Sequence, residues 1–350
     1  MAQELWHWQR QTGRSGLQRH RWSAIVGFCV ALALTGCQFG FSNNTVELTL
    51  ASFSVTKAAY QQIIPKFEEK WWKEHQQRVS INQSYSGSGA QTRAIVDGLE
   101  ADVAHLALGL DINKIVKAEL IDDKWAEEFP NKSVVAQSVV AIVTRPGNPK
   151  NIQSWQDLAR PDVQVITADP RSSGVARWIF MALWNSVTQG KTDDAATNAA
   201  NDFTQTLYRR MPVLARDAQE ATSTFFRQGE GDVLLNYENE VLLARDRGAP
   251  LDYQIPGVNI SIDTPVAIID RNVDQHGNRE VVTAFVNFLF SDEAQIEFAK
   301  VGFRTQRPQA AAPSFPKVAE LATVKDFGGW SKIQKEFFAE GARFDQIYRR

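Results

Sequence analysis

An α/β fold in two similar halves is what this sequence predicts, and three observations predict it. Strand-like and helix-like patterns alternate from about residue 46 to 120 and again from about 163 to 236. In each stretch one strand runs into a Ser-Gly turn that opens a helix: Tyr85-Ser86-Gly87-Ser88-Gly89 in the first, Ser172-Ser173-Gly174 in the second. Between them lies the apolar run Ser138 to Thr144, ended by Arg145-Pro146-Gly147-Asn148-Pro149, which reads as a crossing between halves.

The first half opens with a strand over Val46 to Ala51. A helix from about Thr56 puts Tyr60, Ile63, Ile64, Phe67 and Trp71 on one face, and Pro65 predicts a kink or split in it. Of the Trp71–Trp72 pair, one ring is expected to be buried and the other to flank it. A strand over 79–84 feeds the first Ser-Gly turn and a helix to about Val96, stopped by Gly98. Ser88 and Gln91 have capping-box spacing. Val103 to Leu108 reads as a strand, and Asp111 as the cap of a helix through about Leu120.

In the second half, the strand over 163–167 leads to Asp169-Pro170-Arg171-Ser172-Ser173-Gly174 and a helix with Val175, Trp178, Ile179 and Ala182 at i, i+3, i+4 and i+7. Long helices are expected over about 173–188 and 193–209. A short strand near Val213 to Ala215, a helix from Ala221 and a strand over Asp232 to Asn236 follow. The chain recrosses near Tyr253 to Ile269. Residues 281–302 predict one amphipathic helix, and 325–349 a final helical pattern with Trp330, Ile333, Phe337 and Phe338.

The chain has 350 residues and a net charge of −2, so it has no whole-chain basic character and nucleic acid is not its partner. Arg10, Arg14, Arg19 and Arg21 precede an apolar stretch, Trp22 to Leu34, that is too short to span a bilayer. Residues 1–36 therefore read as an export signal. Leu34-Thr35-Gly36-Cys37 resembles the lipobox of bacterial lipoproteins, in which the cysteine becomes the lipidated N-terminus. The expected product is periplasmic and anchored to the membrane through Cys37, with residues 37–45 as a tether. After the signal, Cys37 is the only cysteine, so no disulfide supports the fold. His75, His105 and His276 share no metal-ligand spacing. His105, within an apolar run, reads as a buried structural side chain. Neither metal nor cofactor is expected.

A Ser-Gly turn at a helix start offers unpaired backbone N–H groups, hydroxyls and the positive end of the helix dipole, which together suit an anion. One such turn is an ordinary cap. Two at equivalent places in two α/β halves point to a shared ligand. Catalysis fits less well. Ser86-Gly87-Ser88-Gly89 lacks the first glycine of a nucleophile elbow, no histidine stands out as a base, and no Gly-Lys-Ser/Thr makes a phosphate loop.

Four stretches resemble the periplasmic sulfate-binding proteins of ABC importers: Ser84 to Ala104, Asp169 to Trp178, Gly231 to Glu240, and Phe327-Gly328-Gly329-Trp330 on to Ile347. The resemblance implies a type II periplasmic binding protein, with lobe one over 46–137 plus 262–305, lobe two over 138–261, and a C-terminal extension over 306–350. It implies a ligand cleft between the lobes and an inner-membrane ABC permease as partner, with the binding protein itself a monomer. It also implies anion contacts at Ser88 and Gly89, at Ser173, Gly174 and Val175, and at Ala218. Tyr237 stands where the family often has a tryptophan, and Ser54 where it often has an aspartate. Sulfate, a full dianion at neutral pH, only accepts hydrogen bonds, so a site of neutral donors suits it. Phosphate brings a proton that such a site leaves unpaired, at a cost of roughly 1–3 kcal/mol. Thiosulfate is the main alternative ligand, ahead of molybdate and phosphate. Arg93, Arg171 and Arg177 lie near the turns and read as pairing partners behind the site.

Overall fold

The computed structural model describes residues 45–305 and 315–348. The signal segment and Cys37 lie outside the described residues, as does all of the tether but Thr45. The chain starts with β1 (Thr45–Phe53), α1 (Lys57–His75), β2 (Arg78–Ser86), α2 (Ser88–Val96), β3 (Val103–His105), α3 (Gly109–Lys117) and β4 (Val134–Ser138). It continues through β5 (Val140–Thr144), β6 (Val165–Ala168), α4 (Gly174–Thr188), α5 (Asp194–Arg210), β7 (Leu214–Ala215), α6 (Ala218–Phe226), β8 (Val233–Tyr237), α7 (Glu238–Asp246), β9 (Asp252–Gln254) and β10 (Val258–Ile260). Then come β11 (Ile262–Ile268), α8 (Asp270–His276), α9 (Arg279–Phe288), α10 (Asp292–Lys300), β12 (Arg304–Thr305), β13 (Glu320–Ala322), α11 (Trp330–Ile333) and α12 (Arg343–Ile347).

Two sheets organise these elements. A six-stranded sheet has the order β12-β4-β11-β3-β1-β2, and a five-stranded sheet the order β7-β6-β8-β5-β9. In the first, β1 runs parallel to β2 and β3, and β11 closes antiparallel on β3 and β4. In the second, β6 is parallel to β7 and β8, while β5 is antiparallel to β8. The chain steps from one sheet to the other between β4 and β5 and back between β9 and β11, by way of β10, which pairs with β13 in a two-stranded ribbon. The result is the expected mixed α/β fold with two lobes. In both sheets the Ser-Gly turns follow the carboxyl ends of parallel strands, where open α/β sheets place ligands.

The sequence pattern explains most elements. The apolar face of α1 is buried as predicted, with Tyr60 and Ile63 inaccessible and Trp71 covered while Trp72 stays outside against Arg78. Four expectations need correction. Pro65 does not split α1; one helix runs through it from Lys57 to His75. Pro65 and Gln61, whose carbonyl loses its partner there, are both on the exposed face, which leaves that carbonyl open to solvent. The 281–302 helix is two helices, because Ser291 caps α10 by accepting the Ala294 N–H. The terminal pattern is a broken series, with α11 passing into a π-helical turn at Gln334–Phe338 before α12. Finally, α6 starts three residues earlier than Ala221.

The aromatic residues of the C-terminal segment pack on the second lobe. Phe337 meets the rings of Phe180 and Trp184, and Phe344 those of Phe180 and Tyr208. Arg343 donates to Asn201 at 2.8 Å. This segment also borders the second Ser-Gly turn, where the Arg171 guanidinium lies over Tyr348 and that of Arg177 over Phe338.

Candidate functional site

Three helices point their N-termini at one place. The first is α2, entered from β2. Its N-cap is Gly87 in extended conformation, not Ser88, and the expected Ser88–Gln91 capping box does not form. Ser88 is drawn away. Its hydroxyl donates to Asp111 Oδ2 at 2.7 Å and accepts the Ala107 N–H at 3.1 Å, and the Gln91 amide donates to the Ser52 carbonyl at 3.1 Å. The end of α2 is thus left with backbone donors. The N–H groups of Ala90 and Gln91 already reach the Gly87 carbonyl, which leaves those of Ser88 and Gly89 as the helix's own unpaired pair.

The second is α4. Ser173 is its N-cap, makes no side-chain cap bond, and spends its own N–H on the Asp169 carbonyl at 2.8 Å. What α4 offers is its first turn, Gly174 and Val175. The third is α6. Asp217 caps it, accepting the Glu220 N–H at 2.9 Å, so Ala218 is the first helical residue and its N–H leaves the helix end. Here the sequence did carry a signal. Asp217-Ala218-Gln219-Glu220 has capping-box spacing and runs directly into the apolar pattern at Ala221.

Between these ends lies a narrow cavity of about 10 Å³, room for about one water molecule. Ser54, Ser88, Ser173, Gly174, Ala218 and Tyr237 all line it, with Phe53, Gly87, Ala107 and Asp217 among its other walls. Gly89 and Val175 are one step back. Gly89 lies behind Gly87, where an added Cβ would stand 3.2 Å from the Ser172 carbonyl oxygen, and Val175 is buried in the first turn of α4. Tyr237 ends β8 and caps α7. Its hydroxyl is buried and has no hydrogen-bond partner among the described residues. Burial, with Glu240 and Asp111 nearby, pushes its pKa well above the ordinary tyrosine value, so it stays a proton donor. A buried hydroxyl left unpaired costs roughly 1–3 kcal/mol. Asp217, a carboxylate in the wall, is turned aside: one oxygen holds the Glu220 N–H and the other lies 3.6 Å from Arg216 Nε.

The two lobes meet directly around this cavity. The Gln219 amide donates to the Ser54 carbonyl at 2.8 Å, and the Trp178 indole N–H to the Ala107 carbonyl at 2.7 Å. Arg177, from α4, pairs with Asp111 of α3 at 2.9 Å, and both side chains are buried. Asp111 is therefore not the cap expected from the sequence; the N-cap of α3 is Leu108. Burial pushes the Asp111 carboxyl up, but Arg177, Lys114 and the Ser88 hydroxyl outweigh it and hold it below its ordinary value. Of the other arginines near the turns, Arg171 makes a more exposed pair with Asp169. His105 is buried, with Nδ1 2.7 Å from the Tyr60 hydroxyl, and burial drops its pKa to about 3, so it is a neutral structural group.

Two α/β lobes closed over a small cavity walled by helix N-termini define a solute-binding protein. Residues 48–304 match the family of bacterial extracellular solute-binding proteins, and the chain belongs to it. It is 49% identical to a sulfate-binding protein of Synechococcus elongatus, over 96% of this chain and 97% of that one. It is 36% identical to the sulfate-binding protein of Escherichia coli, over 93% and 98%, and 33% identical to a thiosulfate-binding protein of Pseudomonas aeruginosa, over 92% and 98%. Among solved structures, the sulfate-binding protein SubI of Mycobacterium tuberculosis superposes with a TM-score of 0.75 at 34% identity, covering 84% of this chain and all of that one.

Proposed function

We propose that the protein binds sulfate in this cavity and delivers it to an ABC permease of the inner membrane. The observation that carries the reading is the convergence of three helix N-termini and one unpartnered tyrosine hydroxyl on a single small cavity. All of these are donors, and their positive helix ends favour negative charge. The donors assigned to the ion are the N–H groups of Ser88, Gly89, Gly174, Val175 and Ala218, and the hydroxyls of Ser173 and Tyr237. Ser54 completes the wall. The names of the sulfate-binding relatives support the same ligand.

Thiosulfate is the second reading, favoured by the Pseudomonas relative and by its equal charge. Calorimetric titration of the exported chain with sulfate, thiosulfate, molybdate and phosphate separates these ligands. Sulfate or thiosulfate is expected to bind tightest and phosphate weakest, since the carboxylate in the wall, Asp217, is turned toward Glu220 and Arg216 and away from its proton; preferential phosphate binding overturns the reading. In the same assay Tyr237→Phe keeps the ring and removes one hydrogen bond to a charged group. It is expected to cost about 1.5–3 kcal/mol, roughly ten- to a hundredfold in affinity. Unchanged affinity rejects the direct contact and leaves Tyr237 as packing.

The proposed moving bodies are 46–137 with 262–305 on one side and 138–261 on the other, hinged at the two crossings and working as a monomer. We further propose that the protein is periplasmic and held to the membrane by lipid on Cys37. The intact mass of the exported protein tests this: a diacylated or triacylated cysteine at the N-terminus is expected, and an unmodified N-terminus elsewhere refutes it.

A further inference from the structure

The C-terminal segment touches the ligand-binding architecture at a place the proposed function leaves unused. Trp330, the first residue of α11, stands edge-on to Trp178 of α4, with ring centroids 4.7 Å apart and planes at 75°. Its other neighbour belongs to the first lobe. At Gly109, where α3 begins, an added Cβ would lie 3.4 Å from Trp330 Cδ1. Trp178 in turn donates its indole N–H to the Ala107 carbonyl, two residues before Gly109. Ala107 is a wall of the cavity, and Trp178 lies one helical turn beyond Gly174. The two indoles and the 107–109 backbone therefore form a ring of contacts that spans both lobes one layer behind the cavity. The rest of the C-terminal aromatic cluster, Phe337 and Phe344, packs on the second lobe.

We infer that Trp330 is a positioning residue for ligand retention, clamping α3 of the first lobe against α4 of the second. The clamp is anchored on the second lobe and seats on Gly109 when the lobes are closed. A bare Cβ at 109 would only touch the Trp330 ring, at 3.4 Å, and the Trp125 ring of the first lobe, at 3.6 Å; a branched side chain reaching past that Cβ is what would push the Trp330 indole off its seat. The Trp330 contact with Gly109 is made in the closed arrangement and is lost when the lobes part. It therefore slows ligand escape without touching the ligand. This inference rests on the anion-binding reading for its kinetic consequence, but not for its structural one.

The test uses the full exported chain with two variants. Trp330→Ala removes the clamp, and Gly109→Ile blocks its seat while leaving the C-terminal segment intact, which covers the case in which Trp330→Ala misfolds. Stopped-flow dissociation of sulfate is expected to be roughly three- to tenfold faster in both, from the loss of the indole's packing across the lobes. Trp330→Phe is expected to restore part of the difference. Small-angle scattering without ligand provides an arm independent of the anion: both variants are expected to show a larger radius of gyration than the parent. Parent-like dissociation together with a parent-like radius overturns the clamp. A parent that binds none of the four anions overturns the anion reading instead, and the scattering arm still decides the clamp.

Discussion

Gly174→Ala is expected to abolish tight anion binding while leaving both lobes folded. The added methyl carbon would stand 2.5 Å from Ala107 Cβ, 3.2 Å from Ser88 Cβ and 3.3 Å from Leu108 Cδ2, all across the cleft. Contact at 2.5 Å is impossible, and none of these atoms sits at the end of a long flexible chain, so the lobes must separate. The donors of α2 then no longer reach an anion held by α4 and α6 in the proposed site. Losing two hydrogen bonds to a charged ligand costs about 3–6 kcal/mol, which is roughly a hundredfold to ten-thousandfold in affinity. The unliganded variant is expected to melt close to the parent, because alanine in a helix is more stable than glycine. Calorimetry checks the first statement and thermal melting the second. Ala107→Gly in the same chain removes the worst contact and is expected to restore much of the affinity. Parent-like affinity of Gly174→Ala alone would show that the lobes do not close this far around the ligand.

The second large effect lies at Asp111. Asp111→Asn leaves the Arg177 guanidinium buried without its counter-charge. Breaking a buried pair from one side typically costs about 3–5 kcal/mol, and urea unfolding at neutral pH is expected to show a loss of that order. Adding Arg177→Met is expected to recover a substantial part, since the stranded charge goes with it. If the single variant unfolds like the parent, the pair is solvated in solution. The pH behaviour follows from the sign of the shift. The folded-state pKa of Asp111 lies below the ordinary value of 3.8. Its contribution is therefore complete above that value and is lost only as pH falls through the lower folded one. Between pH 6 and 8 the difference between parent and variant is expected to stay constant.

Much of this was legible in the sequence because its signals are local. Alternating strands and helices, the buried face of α1 and the two Ser-Gly helix starts all follow from periodicity and turn chemistry over a few residues. The misreadings have long-range causes. Ser88 and Gln91 have the spacing of a capping box, but Asp111 and Ser52, distant in sequence, compete for their side chains and win. Asp111 looks like a helix cap until Arg177 arrives from the other lobe. Pro65 looks like a break until its orientation toward water is known. The early start of α6 is different: Asp217 and Glu220 marked it, and the apolar pattern beginning at Ala221 hid it. At the cavity, the Ser-Ser-Gly helix start pointed to Ser173 and Gly174, and the family resemblance to Tyr237, and all three line the wall. Only the fold shows that Gly89 and Val175 are a step behind the wall.

The pairing of Arg177 with Asp111 has a consequence for unloading. Arg177, the buried guanidinium behind the second turn, is already neutralised by a partner on the opposite lobe, and the donors facing the cavity are peptide groups and hydroxyls. An anion held this way is confined by fixed dipoles, not by a matching cation. Those dipoles belong to two bodies, so prying the bodies apart dismantles the cage donor by donor. A membrane partner that grips both lobes can thus discharge the cargo by mechanical leverage alone, with no competing anion and no proton needed to displace it.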